Sequence, residues 1–252
     1  MYSARIFFRG GLVAYRALFF WKAPLSFLTT LIINPVMQVA FFLLATDDSL
    51  AGGRVGVLLG TALMASSLPG IFGGAMAVGN ERAFGTLANV LLTPASKSLV
   101  FLGRGLPYVV NGVFSSAVVF LLTMPFVGEL HLADFFRVLA AVVPGALSCT
   151  ALGLVVGSLG LLLRDIWLVA NLTMLCLLVL TGAVIPVDTL PGALRLLSVG
   201  TPLTHAIAFA RGGDVTSLLL ETTVAVVYFT IATLLLHHVE RAARTRGSLE
   251  LA

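Results

Sequence analysis

Long uninterrupted apolar stretches dominate the chain, and short segments between them hold nearly all of its charge. Six stretches, near residues 24–45, 56–79, 106–127, 138–162, 166–186 and 216–238, are long enough to cross a hydrocarbon core of ~30 Å, which takes about 20 helical residues. Their apolar residues run continuously instead of alternating, which predicts helices and not barrel strands. Residues 2–23 read differently. Arg5, Arg9 and Arg16 fall on one narrow arc of a helix whose remaining surface, including Phe7 and Leu18, is largely apolar. That pattern predicts an amphipathic helix lying in the membrane interface, with Trp21 and Lys22 at headgroup depth. No soluble domain, low-complexity linker or internal repeat stands out. The expectation is a single all-α membrane domain over residues 1–252.

Composition strengthens the membrane reading. The chain is 59% hydrophobic and 10% charged, with mean hydropathy +1.06, whereas a soluble domain is roughly 25% charged. The net charge of +4 does not mark a nucleic-acid surface, because the basic residues sit singly at the ends of apolar runs. There they set topology. With the N-terminus inside, the inner segments hold eleven of them (Arg5, Arg9, Arg16, Lys22, Arg82, Lys97, Arg104, Arg164, Arg241, Arg244, Arg246), and the outer segments hold four (Arg54, Arg137, Arg195, Arg211). A multi-pass protein of the cell membrane with both termini cytoplasmic is expected. The two cysteines, Cys149 and Cys176, lie inside apolar runs and read as packing residues. The N-terminus lacks the short apolar core and small-residue cleavage site of a signal peptide.

The chemistry of an energy source is missing from the residues. A phosphate-binding loop needs glycine-rich backbone and a lysine before Ser or Thr, but Lys22 and Lys97 follow Trp21 and Ser96 with no such loop. Ion-coupled carriers leave ionisable groups at membrane depth. Here Glu221, about a turn inside the last span, is the main one, and it reads as a snorkelling interfacial carboxylate more readily than as a proton carrier. Ser148 and His205 form no motif of an intramembrane hydrolase, and the histidines and cysteines show no metal-ligand spacing. Small residues recur every fourth position at Ala141, Gly145, Cys149, Gly153 and Gly157, and again at Gly70 and Gly74. Such ridges admit a close helix neighbour, within one subunit or between two.

Two segments carry more information. Residues 80–94, Asn-Glu-Arg-Ala-Phe-Gly-Thr-Leu-Ala-Asn-Val-Leu-Leu-Thr-Pro, predict a short amphipathic helix along the inner surface, with Leu87 and Leu91 packed down and Glu81 and Arg82 reachable from the cytoplasm. Between spans five and six, Asp188-Thr189-Leu190-Pro191 is a helix-start pattern, Gly200-Thr201-Pro202 breaks that helix, and Gly212-Gly213 ends a second one. Two short helices, about 190–199 and 202–211, are expected as a re-entrant hairpin in the outer leaflet.

These segments resemble the ABC-2 transporter permeases, which include daunorubicin-type drug exporters and nodulation lipo-oligosaccharide exporters. The first hallmark of that family is matched by Glu81, Arg82, Gly85, Thr86 and Leu87 with Leu91-Leu92-Thr93-Pro94, and the second by Gly182, Pro186, Leu190, Pro191, Pro202, Leu203, Thr204 and Arg211. Ala83 and Ala88 stand where many members carry Glu. The resemblance implies a permease subunit without enzymatic activity, working beside a second permease copy in the lipid bilayer. A separate ATPase would bind ATP and Mg, and no cofactor would bind this chain. It further implies that Glu81, Arg82, Phe84, Gly85, Thr86 and Leu87 form the coupling helix that docks on the ATPase. The hairpin around Pro186, Leu190, Pro191, Pro202, Leu203, Thr204 and Arg211 would be an outer gate. Phe41, Phe42 and Phe114 are candidates to line an apolar path for an amphipathic or lipid-like cargo such as a drug, natural product, peptide or lipid-linked glycan. The alternative function is an ion-gradient-coupled secondary transporter.

Overall fold

The computed structural model describes residues 25, 28–46, 53–83, 85, 97–127, 132–163 and 165–246, the side chains of a few of these excepted. The expected interfacial helix at 2–23 lies outside the described residues. Among the described residues all regular structure is helical. A π-helical turn, Thr29–Ile33, leads into α1 (Asn34–Ala45). There follow α2 (Gly53–Met64), α3 (Ser67–Ala83), α4 (Lys97–Thr123), α5 (Leu132–Leu163), α6 (Ile166–Leu180), α7 (Gly192–Val199), α8 (Thr204–Ala210) and α9 (Val215–Arg246).

Four stretches are long and apolar enough to cross a membrane: Gly53–Glu81, Val100–Phe126, Ala133–Gly160 and Val215–His238. They correspond to the second, third, fourth and sixth predicted spans. The first and fifth correspond to the shorter apolar helices Thr29–Ala45 and Ile166–Leu180, which at 1.5 Å per residue reach only about 25 and 22 Å. Large apolar side chains cover the outside, Leu44 being 87% exposed and Phe126 and Leu196 each 77%. Such a surface is compatible with lipid and not with water. The chain is a multi-pass helical membrane protein.

The centre of the fold is α5, whose Ala141, Val142, Cys149 and Leu154 are fully buried. Its small-residue ridge packs inside the chain, mainly on α3. A Cβ on Gly153 would lie 2.5 Å from the Gly70 carbonyl oxygen, one on Gly157 2.7 Å from that of Ala75, and one on Gly74 2.7 Å from that of Thr150. Backbones this close gain dense dispersion contact where no hydrophobic drive exists between helices. The ridge is thus an intramolecular interface.

Prolines shape two spans. Pro35 has no N–H for the carbonyl four residues back, Leu31, and the turn there is π-helical. The buried Ser115 hydroxyl of α4 donates to that Leu31 carbonyl and ties the first span to the third. Ser115→Ala is expected to lower stability by about 1–2 kcal/mol, read as earlier thermal unfolding in detergent. Pro69 likewise cannot serve Ala65, and the second span breaks at Ala65–Ser66 between α2 and α3. Around the break, Ser66 Oγ donates to Leu63 O (2.7 Å) and Ser67 Oγ to Met64 O (2.6 Å).

Candidate functional site

Between α6 and α9 the chain does not simply cross back. Gly182, at φ +76°, turns it out of α6 in a conformation that suits glycine. A 3-10 turn, Val187–Thr189, precedes Pro191, which caps α7 without a side-chain bond. Neither Asp188 nor Thr189 of the helix-start pattern caps α7. Asp188 pairs with the exposed Arg195 (3.0 Å), and Thr189 Oγ1 donates to Pro186 O (2.8 Å). Pro191 stands at the N-cap position instead, and its carbonyl accepts the first helical bond, from Arg195 N–H (2.9 Å). The axes of α7 and α8 differ by 88°. Between them Thr201 Oγ1 donates to Ser198 O (2.8 Å), and the Thr201 and Thr204 hydroxyls meet at 2.6 Å. Two short helices within the ranges expected from sequence are therefore present, joined by a sharp bend.

That bend is held by α9. The residue before α8 is Leu203, which has no side chain able to cap the helix's free N–H groups. Glu221 supplies the cap from α9. Its Oε1 accepts from Leu203 N–H (2.8 Å) and from the Ser148 hydroxyl of α5, and its Oε2 accepts from Ala206 N–H (3.2 Å). Glu221 is 0% exposed, so the expectation of a snorkelling interfacial carboxylate is corrected: the unserved N–H groups of α8 draw it inward. Two turns deeper, Tyr228 OH donates to Gly200 O (3.0 Å). Counting 1.5 Å per residue from Val215, Glu221 and Tyr228 lie about 9 and 20 Å along α9, so the bend sits well down the bundle. His205 Nε2 bonds Val199 O (2.9 Å) across the bend and makes no pair with Ser148.

The far end of α8 is clamped by Arg211. Its guanidinium donates to Gly56 O from Nε (3.0 Å) and Nη2 (2.9 Å), to Gly182 O from Nη1 (2.8 Å), and to Ala183 O from Nη2 (2.7 Å). One side chain thus joins the hairpin, the start of α2 and the turn after α6. Gly60 makes room for it, since a Cβ there would lie 2.4 Å from Ala183 O and 2.9 Å from Arg211 Nη2. The other hairpin residues divide. Leu203 and Thr204 are buried at the bend with Pro202, whereas Pro186, Leu190 and Pro191 lie on its outer, less buried limb.

At the opposite end, in the last turn of α3, the Glu81 carboxylate accepts from Arg104 of α4 in an ion pair. Arg104 also lies 5.7 Å from the centre of the Phe101 ring. The Glu81 side chain is 14% exposed, so it is engaged within the chain and is not the freely reachable group expected from sequence. Gly85 is exposed at φ +66°. Phe84, Thr86 and Leu87 lie outside the described residues, as does the Arg82 side chain. Of the path candidates, Phe41 and Phe114 face outward and Phe42 is half-buried, with the Phe41 and Phe42 rings 5.5 Å apart. An apolar groove of about 360 Å³ lies elsewhere, among Leu102, Leu106, Val109, Leu147 and Phe229. Among the described residues no group of three or more His, Cys, Asp or Glu is placed to hold a metal.

Sequence reasoning missed the partners of the hairpin. The signal for Glu221 was present, as an ionisable residue inside an apolar span, but its direction was not. Gly145 was read only as one of the small-residue ridge and Ser148 only as an unsupported nucleophile, and Tyr228 gave no signal.

Apolar spans packed on a glycine-rich central helix, with a bent helix pair held by the last span and by α2, define a polytopic helical membrane protein. The chain belongs to the ABC-2 type transporter family, whose sequence profile matches residues 11–214. It is similar to the probable multidrug ABC transporter permease YbhR of Escherichia coli K12, at 27% identity over 135 residues, or 52% of this chain and 35% of that protein. The same figures hold for the counterpart in Escherichia coli O157:H7. The match thus takes in about a third of the length of these curated relatives.

Proposed function

We propose that this chain is the membrane-spanning permease of an ATP-driven exporter. The observation that carries the reading is the family match over residues 11–214. In this reading Thr29–Ala45 and Ile166–Leu180 complete six crossings, both termini face the cytoplasm, and a second permease copy stands alongside. A separate ATPase binds ATP and Mg and drives the pair, and the permease itself makes or breaks no bonds. The hairpin is the outer gate. The cargo in this reading is amphipathic or lipid-like, a class with which the multidrug name of the relatives agrees.

The segment around Glu81, Arg82, Phe84, Gly85, Thr86 and Leu87 is the site where the ATPase pushes. The Glu81–Arg104 pair supports a mechanical role, because it braces the bases of α3 and α4 on either side of that segment. A push on the segment would then reach two spans together. Glu81→Ala with Arg82→Ala is expected to abolish substrate-stimulated ATP hydrolysis by the assembled complex while the permease still inserts and accumulates. Normal coupling in that double variant would remove the assignment.

Among the described residues, the buried Glu221 is the feature that would best suit an ion-coupled carrier. Purified permease in liposomes separates the two readings. Export of a lipophilic dye on a pH or sodium gradient, without nucleotide or ATPase, would overturn the exporter reading.

A further inference from the structure

Leu203 adopts φ 71°, ψ −17°, a left-handed conformation that residues other than glycine, Asn and Asp avoid. Such strain persists only where the surroundings over-determine it, and it clusters at switching segments. Three contacts do so here. The Leu203 N–H is taken by Glu221. The Leu203 side chain is fully buried in a notch on α5, where a Cβ on Gly145 would lie 2.6 Å from Leu203 Cδ2. The bend just before it is held through Gly200 O by Tyr228.

We propose that Glu221 is the positioning residue of the outer gate and acts through Leu203: its carboxylate holds Leu203 left-handed, which seats the leucine in the Gly145 notch and keeps α8 closed on the core. The proposal rests on the gate reading of the hairpin. Without the carboxylate, the Leu203 and Ala206 N–H groups are left buried and unserved. Relaxation of Leu203 to an extended conformation then relieves the strain and lifts its side chain out of the notch. The element therefore has two states, and Glu221 biases them. Ser148 does not oppose the release. Its single hydroxyl proton has two acceptors in reach, Glu221 Oε1 and its own helix's Gly145 O (2.9 Å). When Glu221 leaves, that hydroxyl still has Gly145.

The test uses the full-length chain in intact cells and a membrane-impermeant maleimide added outside. In a Cys149→Ser, Cys176→Ser background, Thr204→Cys reports on the base of α8. In a Cys176→Ser background with Thr204 kept, the native Cys149, buried between α3 and α5, reports on the rest of the core. Labelling of Thr204→Cys is expected to rise about tenfold or more with Glu221→Gln, the shift that loss of one buried hydrogen bond brings. A smaller rise is expected with Tyr228→Phe, and Cys149 is expected to stay unlabelled in both. Unchanged Thr204→Cys labelling in both variants overturns the proposal. So does labelling of Cys149 in step with it, because that marks general loosening and not a gate. Should Glu221→Gln fail to accumulate, Tyr228→Phe and Glu221→Asp decide by the same two reporters. The assay needs neither nucleotide nor partner. A positive result with no ATPase co-purifying would keep the latch and remove the exporter reading, and the reverse pattern would do the opposite.

Discussion

Arg211→Ala is expected to cost about 3 kcal/mol or more of stability, the scale on which charge-assisted hydrogen bonds act when a donor is removed from partly buried acceptors. The guanidinium serves Gly56, Gly182 and Ala183 at once, so its loss takes a charged donor from three carbonyls on two segments, α2 and the turn after α6. The hairpin would lose its tie to α2. Arg211→Lys is expected to recover less than half of the loss, because an ammonium is a compact point donor and cannot spread a planar fork over three acceptors. Thermal unfolding in detergent, with the yield of folded protein from membranes, measures both. An alanine variant as stable as the parent would show that the four bonds do not matter.

Gly153→Ala is expected to destabilise the fold by about 3 kcal/mol, although alanine is the better helix former. The added methyl would lie 2.5 Å from Gly70 O and 2.7 Å from Ile71 O. Both are backbone atoms of α3 and have no rotamer by which to retreat. The helices must move apart, and the contacts at Gly74 and Gly157 loosen with them. Gly192→Ala is the control, since nothing lies within 4 Å of a Cβ there, and it is expected to be neutral or slightly stabilising. Comparable loss in both variants would mean that the effect is one of glycine content and not of approach.

Much of the architecture was legible in the sequence because hydrocarbon thickness leaves few choices. Apolar runs of the right length become helices, and the Gly-Thr-Pro and Gly-Gly punctuation marked the two short helices to within a few residues. The break in the second span was not legible from Pro69, since α4 and α5 run straight through Pro107 and Pro144. Neighbouring helices decide whether a proline kinks a span or is absorbed. The end of α6 at Leu180 was also misplaced, because Thr181 to Ile185 are as apolar as a helix although the left-handed Gly182 stops it. For the site, the types of residue were readable and their partners were not. Glu81 meets Arg104 across 23 residues, and Glu221 meets Ser148 across 73. Those distances along the chain are closed only by packing. The role of the small-residue ridge was open for the same reason, since close approach looks alike whether the neighbour is in the same chain or another.

The interruption at Ala65–Ser66 gives the molecule a knee. Above it, α2 is bolted to the hairpin through Arg211, and below it, α3 is keyed into α5 and braced to α4 by Glu81. At the joint Pro69 cannot serve the Ala65 carbonyl and the Ser66 N–H turns to Leu63 O, while Ala65 N–H to Thr61 O and Gly70 N–H to Ser66 O hold the helix on either side, so flexing there disturbs few bonds. A displacement applied at the Glu81 end therefore need not travel as the tilt of one stiff rod. The lower shank can swing while the upper one turns, so motions of different direction at the two ends can be produced by a single span.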